Sequence, residues 1–123
     1  MIILDTSIVI ELVKGTVKGK EIQERLWQET VAITTITIHE ILLGARKKEK
    51  EIIEKLFRAV HILSYDQHAA HYSAGIEQLL YERGKPIGRM DIFIAAICLA
   101  NEVSLLTMDE DFKRVEGLKV TVI

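Results

Sequence analysis

The feature that most constrains this chain is a series of short apolar runs that show no polar alternation. Ile2–Leu4, Val31–Thr34, His61–Leu63 and Ser104–Thr107 are such runs, with Val120–Ile123 as a candidate fifth. A strand with one face in water alternates apolar and polar residues, whereas a strand that is apolar throughout must be covered on both faces. Segments of helical period lie between the runs: Ser7–Val13, Gly19–Glu29 with Ile22 and Leu26 four residues apart, Ile36–Lys47, Lys50–Val60 and Asp66–Arg83. Gly84 suits the position just past a helix end, and Pro86 cannot continue that helix. Strands alternating with helices predict an α/β fold, a three-layer sandwich with a central, mostly parallel sheet of four to five strands.

At 123 residues the chain has the length of a single domain, 1–123, that buries roughly two-thirds of its unfolded surface. A hydrophobic fraction of 49% with 28% charged residues excludes a disordered chain. The formal net charge of −2 provides no global positive field for nucleic acid. Lys and Arg nevertheless cluster locally at Lys14, Lys18 and Lys20, at Arg46, Lys47, Lys48 and Lys50, and at Arg83, Lys85 and Arg89. Cys98 is the only cysteine, so an intramolecular disulfide and a cysteine zinc site are both excluded, and its apolar surroundings predict a packing role. Asp5 and Glu11 interrupt the N-terminal apolar stretch, which therefore does not read as a signal peptide. Ile92–Ala100 is far short of the ~20 residues that a membrane span needs. The expected location is the cytoplasm, with no membrane partner.

Four acids are oddly placed. Asp5 ends the first apolar run, Glu40 lies inside the apolar "ITIHEILLGA", Asp91 opens "DIFIAAICLA", and Asp109 follows the run "VSLLT". Each has an ordinary explanation, since Asp5, Asp91 and Asp109 are placed to cap helices and Glu40 could be the polar side of an amphipathic one. Together they suggest something else. In an open parallel α/β sheet, the carboxyl ends of strands and the adjoining helix starts converge on one crevice. Two carboxylates ~4 Å apart repel by about 4 kcal/mol at an effective dielectric of ~20, so such a group needs compensation. An all-oxygen set is suited to Mg²⁺ or Mn²⁺ rather than Zn²⁺.

In "LDTS", "ITIHEILLGA", "KPIGRMDIFIAA" and "LLTMDEDF", in that order, the chain resembles the PIN-domain ribonucleases, specifically the VapC-type toxins of VapBC toxin–antitoxin pairs. The resemblance covers almost the whole chain. It implies a PIN-like sandwich and an endoribonuclease that hydrolyses RNA phosphodiester bonds with a metal-activated water. It further implies that Asp5, Glu40, Asp91 and Asp109 form the catalytic and metal site, with Mg²⁺ as cofactor and Mn²⁺ as substitute. Thr6 and Thr107 would support it, and Asp111 matches a further acidic position. Glu40 would either complete the ligand set or orient the attacking water.

Lys14, Arg46, Lys47 and Arg89 are candidate RNA-phosphate contacts. His68 and His71, three residues apart, lack the nearby acids of a metal site, and His39 should point to a different side of its helix from Glu40. The implied partners are RNA, a VapB-type antitoxin and a second copy in a homodimer. The apolar Ile8, Val9, Leu12, Val13, Ile22, Leu26 and Trp27 look like more than one small core needs, which suggests a docking groove. Two rival readings are a PIN-like DNA nuclease and a Mg²⁺-binding receiver module. The first needs longer insertions, and the second needs an N-terminal acidic pair and a late Lys.

Overall fold

The computed structural model describes all 123 residues, Met1–Ile123. Strands β1 (Ile2–Leu4), β2 (Val31–Thr34), β3 (His61–Leu63), β4 (Ser104–Thr107) and β5 (Val120–Val122) form one sheet in the order β3-β2-β1-β4-β5. Every neighbouring pair is parallel. The chain moves outward from β1 to β3 on one side and from β4 to β5 on the other. The strand order therefore reverses between β1 and β4, the place where open α/β sheets form a crevice. Ile3 faces Leu105 and Leu4 faces Leu106, which brings the residue after β1 level with the end of β4.

Alternation along the strands divides the core into two. Ile3, Ala32 and Leu105 point to one face, where Ala69 of α5 (Gln67–Glu82) and Ile94 and Ile97 of α6 (Arg89–Asn101) cover them. Leu4, Ile33 and Leu106 point to the other face. There they meet Ile8 and Val9 of α1 (Thr6–Lys14), Ile22 of α2 (Val17–Arg25), Ile41 of α3 (Thr35–Gly44) and Ile53 of α4 (Lys50–Ala59). The α6 helix has six buried residues and is apolar almost all round because it is enclosed. Burial, and after it the negative charge of Asp5, pushes the Cys98 thiol up to about 12, so this cysteine is inert packing.

The side chains expected to be surplus are mostly core. Ile8, Val9 and Ile22 are buried, and Leu12, Val13 and Leu26 pack against the same cluster; Trp27 alone stands out, 82% exposed. Two helices end earlier than their apolar pattern suggests. α2 stops at Arg25, and α3 stops at Gly44 because a new 3-10 turn, Lys47–Glu49, begins after Arg46, whose backbone N–H the Glu49 carboxylate accepts at 3.0 Å. No helix is long and apolar enough to cross a membrane.

The α1–α2 corner rests on Gly19, which is buried where α2 crosses α1. A Cβ there would lie 2.3 Å from the Glu11 carbonyl oxygen. Replacing Gly by Ala within a helix normally gains about 0.8–1.0 kcal/mol. Overlap with rigid backbone reverses the sign, since overpacking costs about 1–3 kcal/mol. Gly19→Ala should therefore lower unfolding stability in urea by about 1–3 kcal/mol. Gly75→Ala in α5, where a Cβ meets nothing within 4 Å, should raise it by up to about 1 kcal/mol. Equal gains from both would show that the helices do not need Gly19 at their crossing.

Candidate active site

Strand β1 delivers Asp5 to the carboxyl edge of the sheet, where it stands only 4% exposed. Asp5 precedes α1, but its carboxylate makes no capping bond to that helix. Instead Oδ2 accepts hydrogen bonds from Ser7 Oγ at 2.9 Å and Thr107 Oγ1 at 2.7 Å. The two hydroxyls in turn accept the backbone N–H groups of Met108 at 3.2 Å and Asp109 at 3.0 Å. A buried carboxylate without partners would cost several kcal/mol; two charge-assisted bonds offset much of that here.

The other acids reach the same edge from different elements. Glu40 projects from α3, and its Oε1 accepts from Thr6 Oγ1 at 2.6 Å. Asp109 opens the 3-10 turn Glu110–Arg114 and does cap it, Oδ1 accepting from the Asp111 N–H at 2.8 Å. Asp111 is held 3.3 Å from Arg114. Asp91 is no cap, because Gly88 takes that position and Asp91 is the third residue of α6. Its half-buried carboxylate accepts no hydrogen bond from the protein.

Electrostatics tie these positions together. The Asp91 carboxyl is pushed up to about 7, first by burial and then by the negative charges of Asp5, Asp109, Glu40 and Asp111. The structure thus brings the other four acids within electrostatic reach of Asp91, yet no three side chains stand close enough to form a finished metal cage. Asp5, Glu40 and Asp109 each have one oxygen engaged by protein donors and one left open. No buried side-chain oxygen or nitrogen lacks a partner, so the open oxygens reach solvent. Open, anionic, mutually repelling oxygens fit a hard divalent cation that keeps several of its own waters.

The basic residues divide. Lys14 is exposed, makes no ion pair within 4 Å, and shares a cleft of about 110 Å³ with Glu40 and Glu49. Lys47 is likewise exposed and unpaired. Arg46 lies 3.6 Å from Glu49, and Arg89 is bonded to Glu77 of α5 at 2.7 Å. His39, His68 and His71 are exposed and belong to no metal-ligating group. Ser7, Thr34 and Thr37 were not singled out by the sequence pattern; the signal available was the hydroxyl density of "DTS" and "AITTIT" beside two of the acids.

The PIN-domain family model matches residues 2–118. Among curated relatives, the tRNA(fMet)-specific endonuclease VapC of Shigella flexneri is 31% identical over 94% of this chain and 92% of its own length. Ribonuclease VapC2 of Haemophilus influenzae is 34% identical over the same shares. Among solved structures, DNA-bound VapBC from Salmonella typhimurium superposes with a TM-score of 0.90 at 27% identity, covering 98% of this chain and 96% of that one.

The raised Asp91 carboxyl has a signed consequence. An acid whose folded pKa lies above its ordinary 3.8 stabilises the fold fully below that value, and this contribution is lost as pH rises through about 7. In thermal melts without metal, Asp91→Asn should match the parent protein near pH 3, gain on it as pH rises, and melt higher than it by a full, constant margin above pH 7. The same difference near pH 3 as above pH 7 would show that Asp91 carries no such strain.

Proposed function

This chain belongs to the PIN-domain family, among the VapC ribonucleases, and on that premise we propose that it is the endoribonuclease toxin of a type II toxin–antitoxin pair. We infer that it cuts RNA at the edge formed by Asp5, Glu40, Asp91 and Asp109 and depends on Mg²⁺, with Mn²⁺ as substitute. One observation carries the reading: burial, and after it the negative charges of acids from β1, α3 and the turn after β4, hold Asp91 of α6 near 7. Such repulsion is unfavourable, and a bound cation would relieve it.

Asp5, Asp91 and Asp109 would hold the ion, with Glu40 beside them and Asp111 at the rim. Bound there, the cation supplies charge neutralisation at the scissile phosphate and a water of lowered pKa. The chain's own residues do the rest. Ser7 and Thr107 hold Asp5 turned to the edge, and Thr6 does the same for Glu40. Asp91, with both oxygens free of protein bonds, is the acid best able to follow a change in charge during the reaction. Lys14, unpaired in the cleft that Glu40 also lines, is the favoured RNA-phosphate contact, whereas Arg46 and Arg89 must first leave Glu49 and Glu77. RNA is read most readily where its bases are unstacked, so single-stranded or loop RNA is the expected substrate.

The partner is proposed to be a VapB-type antitoxin, as in the VapBC complexes that this fold resembles. A groove of about 620 Å³, walled by Leu12, Leu26, Trp27, Ile52 and Leu56, is suited to an amphipathic segment of that partner. Leu42 and Leu43 of α3, 59% and 80% exposed, are apolar surface that a homodimer would cover.

Purified protein incubated with structured RNA should cleave it with Mg²⁺ or Mn²⁺, and EDTA should stop the reaction. Asp91→Asn should reduce the rate by about 10²-fold or more. Single-stranded DNA of the same sequence should remain intact. Cleavage that survives chelation would contradict the cation-dependent mechanism.

A further inference from the structure

Behind Glu40 stand three threonines whose hydroxyls form a line, and the carboxylate at its end sets the direction. A Thr hydroxyl carries one hydrogen, whereas an ionised carboxylate only accepts. Thr6 Oγ1 spends its hydrogen on Glu40 Oε1 at 2.6 Å, so its 3.0 Å contact with Thr37 Oγ1 must be one that Thr37 donates. Thr37 then has no hydrogen left and accepts from Thr34 Oγ1 at 3.5 Å. Thr34 Oγ1 in turn accepts the backbone N–H of Thr37 at 3.1 Å, in the first turn of α3. Thr34 and Thr37 are both fully buried. The line therefore runs one way, from the start of α3 through Thr34, Thr37 and Thr6 to Glu40, each bond polarising the next.

We propose that Thr37 is a positioning residue for Glu40: through Thr6 it ties Oε1 to the junction of β2, α3 and α1 and leaves Oε2 alone to face the reacting groups. The proposal rests on the reading of Glu40 as part of an RNA-cleaving site. A long acidic side chain at a half-buried surface otherwise samples several rotamers, and aiming one oxygen requires a second anchor behind the first. Thr37 touches no other acid, so its influence on the reaction passes through Thr6. With Oε1 occupied, any proton that Glu40 takes up or any bond it makes to an incoming water is at Oε2.

A satisfied core hydroxyl with no role in cleavage would show the same burial, so the test must separate the two roles. Thr37→Val keeps shape and volume but places a methyl where Thr6 needs a donor; a carbon–oxygen contact requires about 3.3–3.6 Å, which pushes Thr6 off its position. Thr37→Ser keeps the donor. Both are to be measured for RNA cleavage, alone and in a Glu40→Gln background, with crystal structures of the parent and the Val variant. If Val does not fold, Thr37→Ala takes its place with the same expectations.

Thr37→Val should lower kcat on the order of tenfold at unchanged KM, and Thr37→Ser should stay within about twofold of the parent. In the Glu40→Gln background Thr37→Val should cost nothing further, because the two residues act as one unit. The crystal structure of the Val variant should show Glu40 Oε1 out of hydrogen-bonding reach of Thr6. Unchanged kcat in the Val variant, a Ser variant as impaired as the Val one, or losses that multiply with Glu40→Gln would each overturn the proposal. If the parent protein does not cut RNA, the functional reading fails and the crystal structure decides the positioning role alone: a displaced Glu40 supports it and an unmoved one overturns it.

Discussion

The structure depends on one buried oxygen. Asp5 Oδ2 collects the hydroxyls of Ser7 and Thr107, which themselves collect the backbone N–H groups of Met108 and Asp109. This small network joins the end of β1 to the end of β4, two strands about a hundred residues apart in sequence, at the place where the strand order reverses. It also sets the path of the chain after β4, and with it the position of Asp109. Without the Asp5 carboxyl group the two hydroxyls would lose their acceptor, and the turn that bears Asp109 would lose the anchor of two backbone groups. The same atom is thus a structural junction and a neighbour of the site.

The protein accepts an electrostatic cost at this edge. Asp5 and Glu40 are each held by hydroxyls on one side and open on the other, and Asp109 is held by its own turn. Asp91 has no such support and carries the strain, its carboxyl driven up to about 7 by burial and by its neighbours. A sheet built only for stability would place an apolar residue or a neutral cap at these positions. The fold instead keeps like charges together and unpaired where the core is otherwise tightly closed, a pattern characteristic of sites where charge is used.

Much of this was legible in the sequence, for identifiable reasons. β1 to β4 lie where the apolar runs lie, residue for residue, because a strand covered on both faces leaves an unbroken apolar run. β5 ends one residue earlier than its run. Helix ends were less legible, since the apolar spacing of Leu26 continues past the last helical turn of α2, and the Arg46–Glu49 capping pair restarts the chain after α3. The acids could be found but their local roles could not: Asp109 is a cap, whereas Asp5 and Asp91 are not, and only the hydrogen bonds distinguish them. Arg89 looked like a free charge because its partner Glu77 lies twelve residues away on another helix, and Arg46 because the turn that brings it to Glu49 interrupts the expected helix. Thr34 was hidden because a threonine at the end of a β run reads as a strand former rather than as a donor, and Thr37 because it falls inside the helical segment Ile36–Lys47, where a threonine reads as filler.

The central proposal is that the neighbouring acids load Asp91 with a charge burden which a divalent cation would relieve. Proton release on Mn²⁺ binding, measured by calorimetry in buffers of different ionisation enthalpy, tests it most directly. With Asp91 near 7, binding at pH 7 should release about half a proton, falling towards none at pH 8.5. Binding with no proton release at pH 7, or no binding at millimolar Mn²⁺, would contradict the account.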